Sequence, residues 1–228
     1  MKKIYEVAIK AMQEGRGSAK NMPLDELKSS EVVVFWGRGL ESLSKESLAH
    51  LDDKTIVVIS SSENPLSKSA NLHVKLEPKR DFELALMLCR FLYIENSHDE
   101  LFTQKYATNL EDFYELTQNF RVKMTLDRVG VSLGTLGELL SLLQNKKVAL
   151  LCGEGLYGHK DSEDTLRVID ALAVMLGLFG KKGCGVNFLC DTTEELAYKE
   201  GFDTDDGEFV FLEDIYLQEV DISTRFSL

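Results

Sequence analysis

Two short glycine motifs follow two apolar runs. Val32-Val33-Val34-Phe35-Trp36 leads into Gly37-Arg38-Gly39-Leu40, and Val148-Ala149-Leu150-Leu151-Cys152 leads into Gly153-Glu154-Gly155-Leu156. Glycine at the end of a buried strand lets the backbone approach a ligand closely. A helix start just after it offers free N–H groups to an anion. The paired motif therefore points to a phosphate-bearing organic group held between two related corners. The same glycines also serve tight strand-to-helix turns that hold no ligand. The second copy extends to Gly158, completing Gly-x-Gly-x-x-Gly, and His159 follows it. His159 is placed to orient a phosphate or a pterin, although a loop histidine is more often simply solvated. A dinucleotide fingerprint also needs an acid about 20 residues further on, at the end of the next strand. Asp191 lies 33 residues past Gly158, and Asp170 falls inside a helical pattern. Nucleotide binding at the Gly153 loop is thus a third reading, behind two others given below.

Other polar groups carry weaker signals. Ser60-Ser61-Ser62 end an apolar run and could donate to a phosphate, or form a polar strand exit. Lys79-Arg80-Asp81 precede an apolar helix, where Asp81 can cap and the two cations can face an anion or solvent. The cysteines are Cys89, Cys152, Cys184 and Cys190. No Cys-x-x-Cys occurs, so no zinc ribbon or iron–sulfur run is spelled out, and the cysteines read as small buried hydrophobes. His50, His73 and His98 do not stand at metal-ligand spacing. There is no Gly-x-Ser-x-Gly, Walker A loop or His-Glu-x-x-His.

The elements that must position these residues alternate. Ile4–Met12 has helical spacing, and Pro23–Leu27 suggests a helical turn. Residues 32–36 and 55–59 are continuous β-branched runs, as in a parallel sheet buried on both faces. Leu43, Leu48 and Leu51 mark a helix between them, and residues 60–65 a polar loop. Leu72–Leu76 alternates as a shorter edge strand that Pro78 stops. The stretch from Asp81 to Ile94 is apolar nearly all round, hence a buried helix. Residues 99–120 and 133–143 continue as helices. The strand at 148–152 is followed by a helix over about 163–176, capped by Asp161 or Ser162. Residues 185–190 are a strand or extended loop, and 209–212 one last strand. This order predicts an open α/β fold with a mainly parallel sheet and helices on both faces. It would comprise two pseudo-repeated Rossmann-like halves, about 28–95 and 146–221, with a helical insertion at about 96–143. No Pro- or Gly/Ser-rich linker divides them, so residues 1–228 read as one domain.

Composition bounds the function. The chain has 228 residues, 44% hydrophobic and 28% charged, which excludes disordered and collagenous classes. Its net charge is −12, and residues 191–228 hold 12 acidic and 2 basic side chains. The acidic end reads as a solvated face or a docking surface. Nucleic acid is excluded as a partner because basic groups are scattered. No apolar run is long enough to insert directly in a membrane. The first residues lack a secretory pattern, which points to a reducing compartment.

Several blocks together resemble the molybdopterin oxidoreductase superfamily. Phe35-Trp36-Gly37-Arg38-Gly39 stands where that family has W-G-x-N-P. Ala70 to Ala85 follows the layout A-D-x-H/W-L-x-L-x-P-G-T-D-x-A-L. Gly153 to His159 matches G-x-G-x-x-x-H, and Gly177 to Asn187 matches G-x-x-G-x-x-G-x-G-V-N. The resemblance covers about Glu31 to Asp191. It implies a site for molybdopterin guanine dinucleotide lined by Gly37, Gly39, Gly153, Gly155 and His159. Three departures fall on positions that hold the cofactor in the family: Ser60 for an acid, Ser61-Ser62 for Pro-Arg, and Lys79-Arg80 for Gly-Thr. They imply a domain that has lost its cofactor, with no catalytic residue and no metal site of its own. Such a domain is similar to part of the G subunit, the large iron–sulfur subunit, of bacterial NADH-quinone oxidoreductase. Its partners would then be other subunits of the peripheral arm of a respiratory complex. It would be cytoplasmic, held at the inner membrane through that complex. The second reading is a fragment of a molybdenum-pterin-binding oxidoreductase.

Overall fold

The computed structural model describes residues 21–189 and the short strand Phe209–Val210. The helix expected at Ile4–Met12, and Cys190 and Asp191, lie outside the described residues.

Five strands form one parallel sheet: β1 (Val32–Trp36), β2 (Thr55–Ser60), β3 (Leu72–Lys75), β5 (Val148–Cys152) and β6 (Gly185–Phe188), in the order β3-β2-β1-β5-β6. The α/β expectation holds. The two glycine-terminated strands are direct neighbours, with Val32 opposite Val148 and Trp36 opposite Cys152. Every residue of β1 and β5 is buried. Alternation along each strand sends side chains to two separate cores. Val32, Val34, Trp36, Leu150 and Cys152 face a large core under the long helices. Val33, Phe35, Ala149 and Leu151 face a smaller one closed by Met22, Leu27 and Leu43. Each fully buried side chain of this size is worth roughly 1.5–3 kcal/mol relative to exposure. The continuous apolar runs follow from this, because neither face of the central strands meets water.

The helices are α1 (Lys45–Leu48), α2 (Pro65–Ser69), α3 (Asp81–Ile94), α4 (Glu100–Tyr106), α5 (Leu110–Gln118), α6 (Val122–Val129), α7 (Leu133–Leu143) and α8 (Ser162–Met175). The two longest, α3 and α8, pack on each other on one face of the sheet, over the larger core. The helix expected around Leu43–Leu51 is only a 3-10 turn, Leu40–Ser42, and the four-residue α1. Residues 60–65 are not all loop, because Asn64 opens α2 with a capping box to Ser67 and Pro65 at its first position. Asp161 stands at the N-cap of α8, as expected, but its side chain accepts no N–H of the first turn; Ser162 Oγ exchanges hydrogen bonds with the backbone of His159.

The last strand, β7 (Phe209–Val210), does not extend the main sheet. It pairs in parallel with β4 (Ala107–Thr108), between α4 and α5. The open edge of β6 is covered by the segment ahead of β1. Met22 N–H donates to Val186 O at 2.8 Å, and the Asn21 amide both donates to Phe188 O at 2.9 Å and accepts from Phe188 N–H at 2.7 Å. An edge strand left bare invites pairing with other chains, and this clasp removes that opening.

Candidate functional site

In an open parallel sheet the ligand crevice lies beyond the carboxyl ends of the strands, where the strand order reverses. Here the reversal falls between β1 and β5. The two glycine corners meet at that point. Gly153 N–H donates to Trp36 O at 3.0 Å and Gly155 N–H to Gly37 O at 2.9 Å. A cleft of about 580 Å³ opens beside them. It is lined by Gly37, Gly39 and Gly155 of the corners, Ser60 to Ser62 at the end of β2, Lys79 ahead of α3, Asp81 at its first position, and His159. Four of the five expected residues, Gly37, Gly39, Gly155 and His159, thus line one cleft. Gly153 supports it from behind.

What the glycines do differs from the first expectation. A Cβ on Gly153 would come within 2.5 Å of Arg38 Cβ and 2.6 Å of Arg38 Cα, and one on Gly155 within 2.9 Å of Gly37 Cα. These glycines let the corners close on each other, backbone against backbone. Gly37 also has φ +58°, a left-handed conformation suited to glycine. Gly158 has nothing within 4 Å. Neither corner opens directly into a long helix. Each passes first through a three-residue 3-10 turn, Leu40–Ser42 or Glu154–Leu156, and α8 begins only at Ser162. The dinucleotide arrangement, a helix N-terminus set on the glycine loop, is therefore absent at Gly153. Asp170 is buried within α8.

Two side chains that the sequence reading underrated organise the cleft. Arg38, the middle residue of the first motif, is 6% exposed. Its Nε donates to Ser42 Oγ at 2.8 Å, and its Nη1 donates to Asn187 Oδ1 and to Asn187 O. Asn187 in turn donates to Met22 O at 2.7 Å. Arg38 thus ties the first corner to β6 and the clasp. Asp81 is the second. It does not cap α3; it is the first helical residue, and its Oδ1 accepts the Trp36 indole N–H at 2.8 Å. Burial raises the Asp81 carboxyl above its ordinary value of 3.8, while the indole hydrogen bond, its own backbone and nearby His159 pull it down.

The remaining polar groups mostly bond within the protein. Ser60 Oγ donates to Ser62 O at 2.8 Å and lies 3.0 Å from His73 Nε2. Arg80 is drawn to Glu83 at 2.8 Å, away from any anion. His159 Nε2 lies 3.1 Å from Gly155 O, and its buried Nδ1 has no hydrogen-bond partner. Lys79 lines the cleft with φ +66°. Cys89, Cys152 and Cys184 are buried free thiols, as expected, and burial pushes the Cys184 thiol up.

Asp81 gives a prediction. Its folded value exceeds its unfolded one, so the stability it contributes is complete below pH 3.8 and is lost as pH rises through the folded value. Trp36, the single tryptophan, should report this titration in its fluorescence, with a midpoint above 3.8. Asp81→Asn keeps an acceptor for the indole without burying a charge. It should flatten the fluorescence titration and raise the urea midpoint at pH 7. A variant less stable than the parent at pH 7 would show that the carboxylate is favoured where it lies.

The family model for molybdopterin oxidoreductase matches residues 5–218. The chain belongs to the molybdopterin oxidoreductase family. It is 30% identical over 171 residues to the probable oxidoreductase YyaE of Bacillus subtilis (strain 168), an alignment spanning 73% of this chain and 26% of that protein. It is 21% identical over 179 residues to formate dehydrogenase H of Escherichia coli (strain K12), covering 76% and 25%. Among solved structures, acetylene hydratase from Pelobacter acetylenicus shares the fold with a TM-score of 0.69 at 16% identity, over 79% of this chain and 26% of that one. The chain therefore spans about a quarter of the length of these relatives. They place it in the family at large, not in the G subunit of NADH-quinone oxidoreductase in particular.

The residues present fit the family's pterin guanine dinucleotide poorly. Gly37, Gly153 and Gly155 each face the opposite corner, and Gly39 faces the Glu41 carboxylate. The cleft's charged lining is mixed, with Glu41 and Asp81 beside Arg38 and Lys79. Arg38, Ser60 and Arg80 already bond to protein groups. Among the described residues no group of three His, Cys, Asp or Glu side chains converges to hold a metal ion. Nor is any described helix long and apolar enough to cross a membrane.

Proposed function

We propose that this chain is a molybdopterin-oxidoreductase-type domain without a redox centre of its own, serving as a structural part of a multi-subunit oxidoreductase. In this reading the assembly is a respiratory NADH-quinone oxidoreductase, and the chain is part of its G subunit. The observation that carries the reading is the locked pair of corners: three of the four glycines that resemble cofactor ligands in sequence, Gly37, Gly153 and Gly155, are consumed by corner-to-corner packing. The three departures at Ser60, Ser61-Ser62 and Lys79-Arg80 add to it. In this role the fold presents a rigid sheet, with the peripheral-arm subunits of a respiratory complex as its partners.

A second reading is favoured by one observation. The buried Nδ1 of His159 has no hydrogen-bond partner, and it sits beside the cleft. A ligand polar group would satisfy it, as in a fragment of a molybdenum-pterin-binding oxidoreductase. Nucleotide binding at the Gly153 loop lacks its helix and ranks third.

One experiment separates them. The chain is purified from a host that makes the cofactor, and molybdenum, tungsten and released pterin are measured. The expected result is less than about one-tenth mole of metal or pterin per mole of chain, together with co-purification of other oxidoreductase subunits at native expression. Stoichiometric metal and pterin would overturn the first reading and establish the second. Quenching of Trp36 by NADH alone would support the third.

A further inference from the structure

A second cleft, of about 800 Å³, lies at the opposite edge of the sheet, by the amino ends of β5 and β6. It is lined by Lys146 and Lys147 ahead of β5, Lys181 and Lys182 ahead of β6, and Leu101 of α4. Three acids share its wall, Glu31, Asp99 and Glu100, and each has a partner in the protein; Glu100 accepts from the Gln104 amide at 2.9 Å. Asp99 pairs with Lys181 at 2.8 Å and accepts the Phe102 N–H at 3.0 Å. Its carboxyl is accordingly held below the ordinary value, against the opposing effect of burial. Glu31 accepts the Lys147 N–H at 2.8 Å. Among the described residues no carboxylate pairs with the ammonium groups of Lys146, Lys147 or Lys182, in a chain whose net charge is −12. Leu101 is 82% exposed, the most exposed large apolar side chain described. Four lysines against three acids, around a bare leucine, suit an occupant both acidic and apolar.

The chain itself supplies one. Residues 211–228 contain Glu213, Asp214, Glu219 and Asp221 against a single Arg225, interleaved with Leu212, Ile215, Leu217, Val220 and Ile222. The β4–β7 pair anchors the start of this segment at the end of α4, the helix that carries Leu101. Seven residues of α-helix span about 10 Å, a distance that three or four extended residues cross. Exposed ion pairs are individually weak, but the tether makes the encounter intramolecular and raises the effective concentration to the millimolar range.

We propose that the acidic, apolar segment 211–228 of this chain docks in the lysine-rimmed cleft at the amino edge of the sheet, over Leu101. The inference is independent of whether the glycine cleft takes a cofactor. The test is carbodiimide coupling of the full chain at low concentration, with mass-spectrometric mapping of carboxyl–amine bonds. Bonds are expected from Glu213, Asp214, Glu219 or Asp221 to Lys146, Lys147 or Lys182, in a yield that falls as salt rises. A second variant, Leu101→Ser, leaves every charge in place and should also lower the yield. In a Lys146→Gln, Lys147→Gln, Lys182→Gln variant, the coupling of those four acids to any lysine should fall roughly tenfold, the scale set by removing three exposed pairs. All three lysines are exposed, so folding is expected to survive. Coupling of those acids only to other lysines, or to none, would overturn the proposal. So would a yield proportional to protein concentration, which would assign the cleft to a second copy.

Discussion

Gly153→Ala is expected to destabilise the chain by about 3 kcal/mol, read as a lower urea midpoint at unchanged slope. The new methyl would meet Arg38 Cα at 2.6 Å and Gly37 O at 2.7 Å. Both are backbone atoms of the opposite corner, so no rotamer change relieves the contact. Gly153 has φ −132°, which alanine adopts freely, so the cost comes from the contact and not from the backbone angle. Two comparisons isolate the effect. Gly158→Ala meets nothing within 4 Å and should change stability by less than about 0.5 kcal/mol. The atoms nearest to a Cβ on Gly39 belong to the Glu41 carboxylate, which can swing away. If Gly153→Ala proves as mild as Gly158→Ala, the corners are not locked, and the glycines are available to a ligand after all.

The second large effect belongs to Arg38. Arg38→Ala should cost about 2–4 kcal/mol, because it empties a buried site and strips donors from Asn187 and Ser42. Arg38→Lys should recover less than half of that, since one ammonium cannot span the two partners that the guanidinium fork reaches. A double-mutant cycle with Asn187→Ala should give a coupling of about 1–2 kcal/mol. A coupling near zero would mean that Arg38 contributes by packing alone. The stability loss should be accompanied by faster amide exchange in β6, because Arg38 and Asn187 connect that strand to the first corner and to Met22.

The parallel sheet was readable because its central strands are buried on both faces. Such burial leaves no alternative to unbroken runs such as Val32–Trp36 and Val148–Cys152. The short helix at Pro65–Ser69 was also spelled out, by Asn64, Pro65 and Ser67, and its signal was overlooked among the surrounding serines. The helix after Gly39 was overcalled. Its leucines reach the smaller core from a 3-10 turn, the four-residue α1 and the loops beside them, so the apolar spacing does not carry one continuous helical period.

The sequence by itself determined the order of strands and helices, the two glycine corners and the family, since these depend on local spacing and on unbroken apolar runs. Tertiary structure alone decided what the corners do. Whether a glycine faces a ligand or another backbone depends on which strands are neighbours, and β1 and β5 are joined only through 111 intervening residues. The same is true of Arg38 with Asn187, 149 positions apart, and of Trp36 with Asp81, 45 apart. Contacts of that range leave no periodic trace in the chain, because they are set by the packing of whole elements and not by the residues next in line.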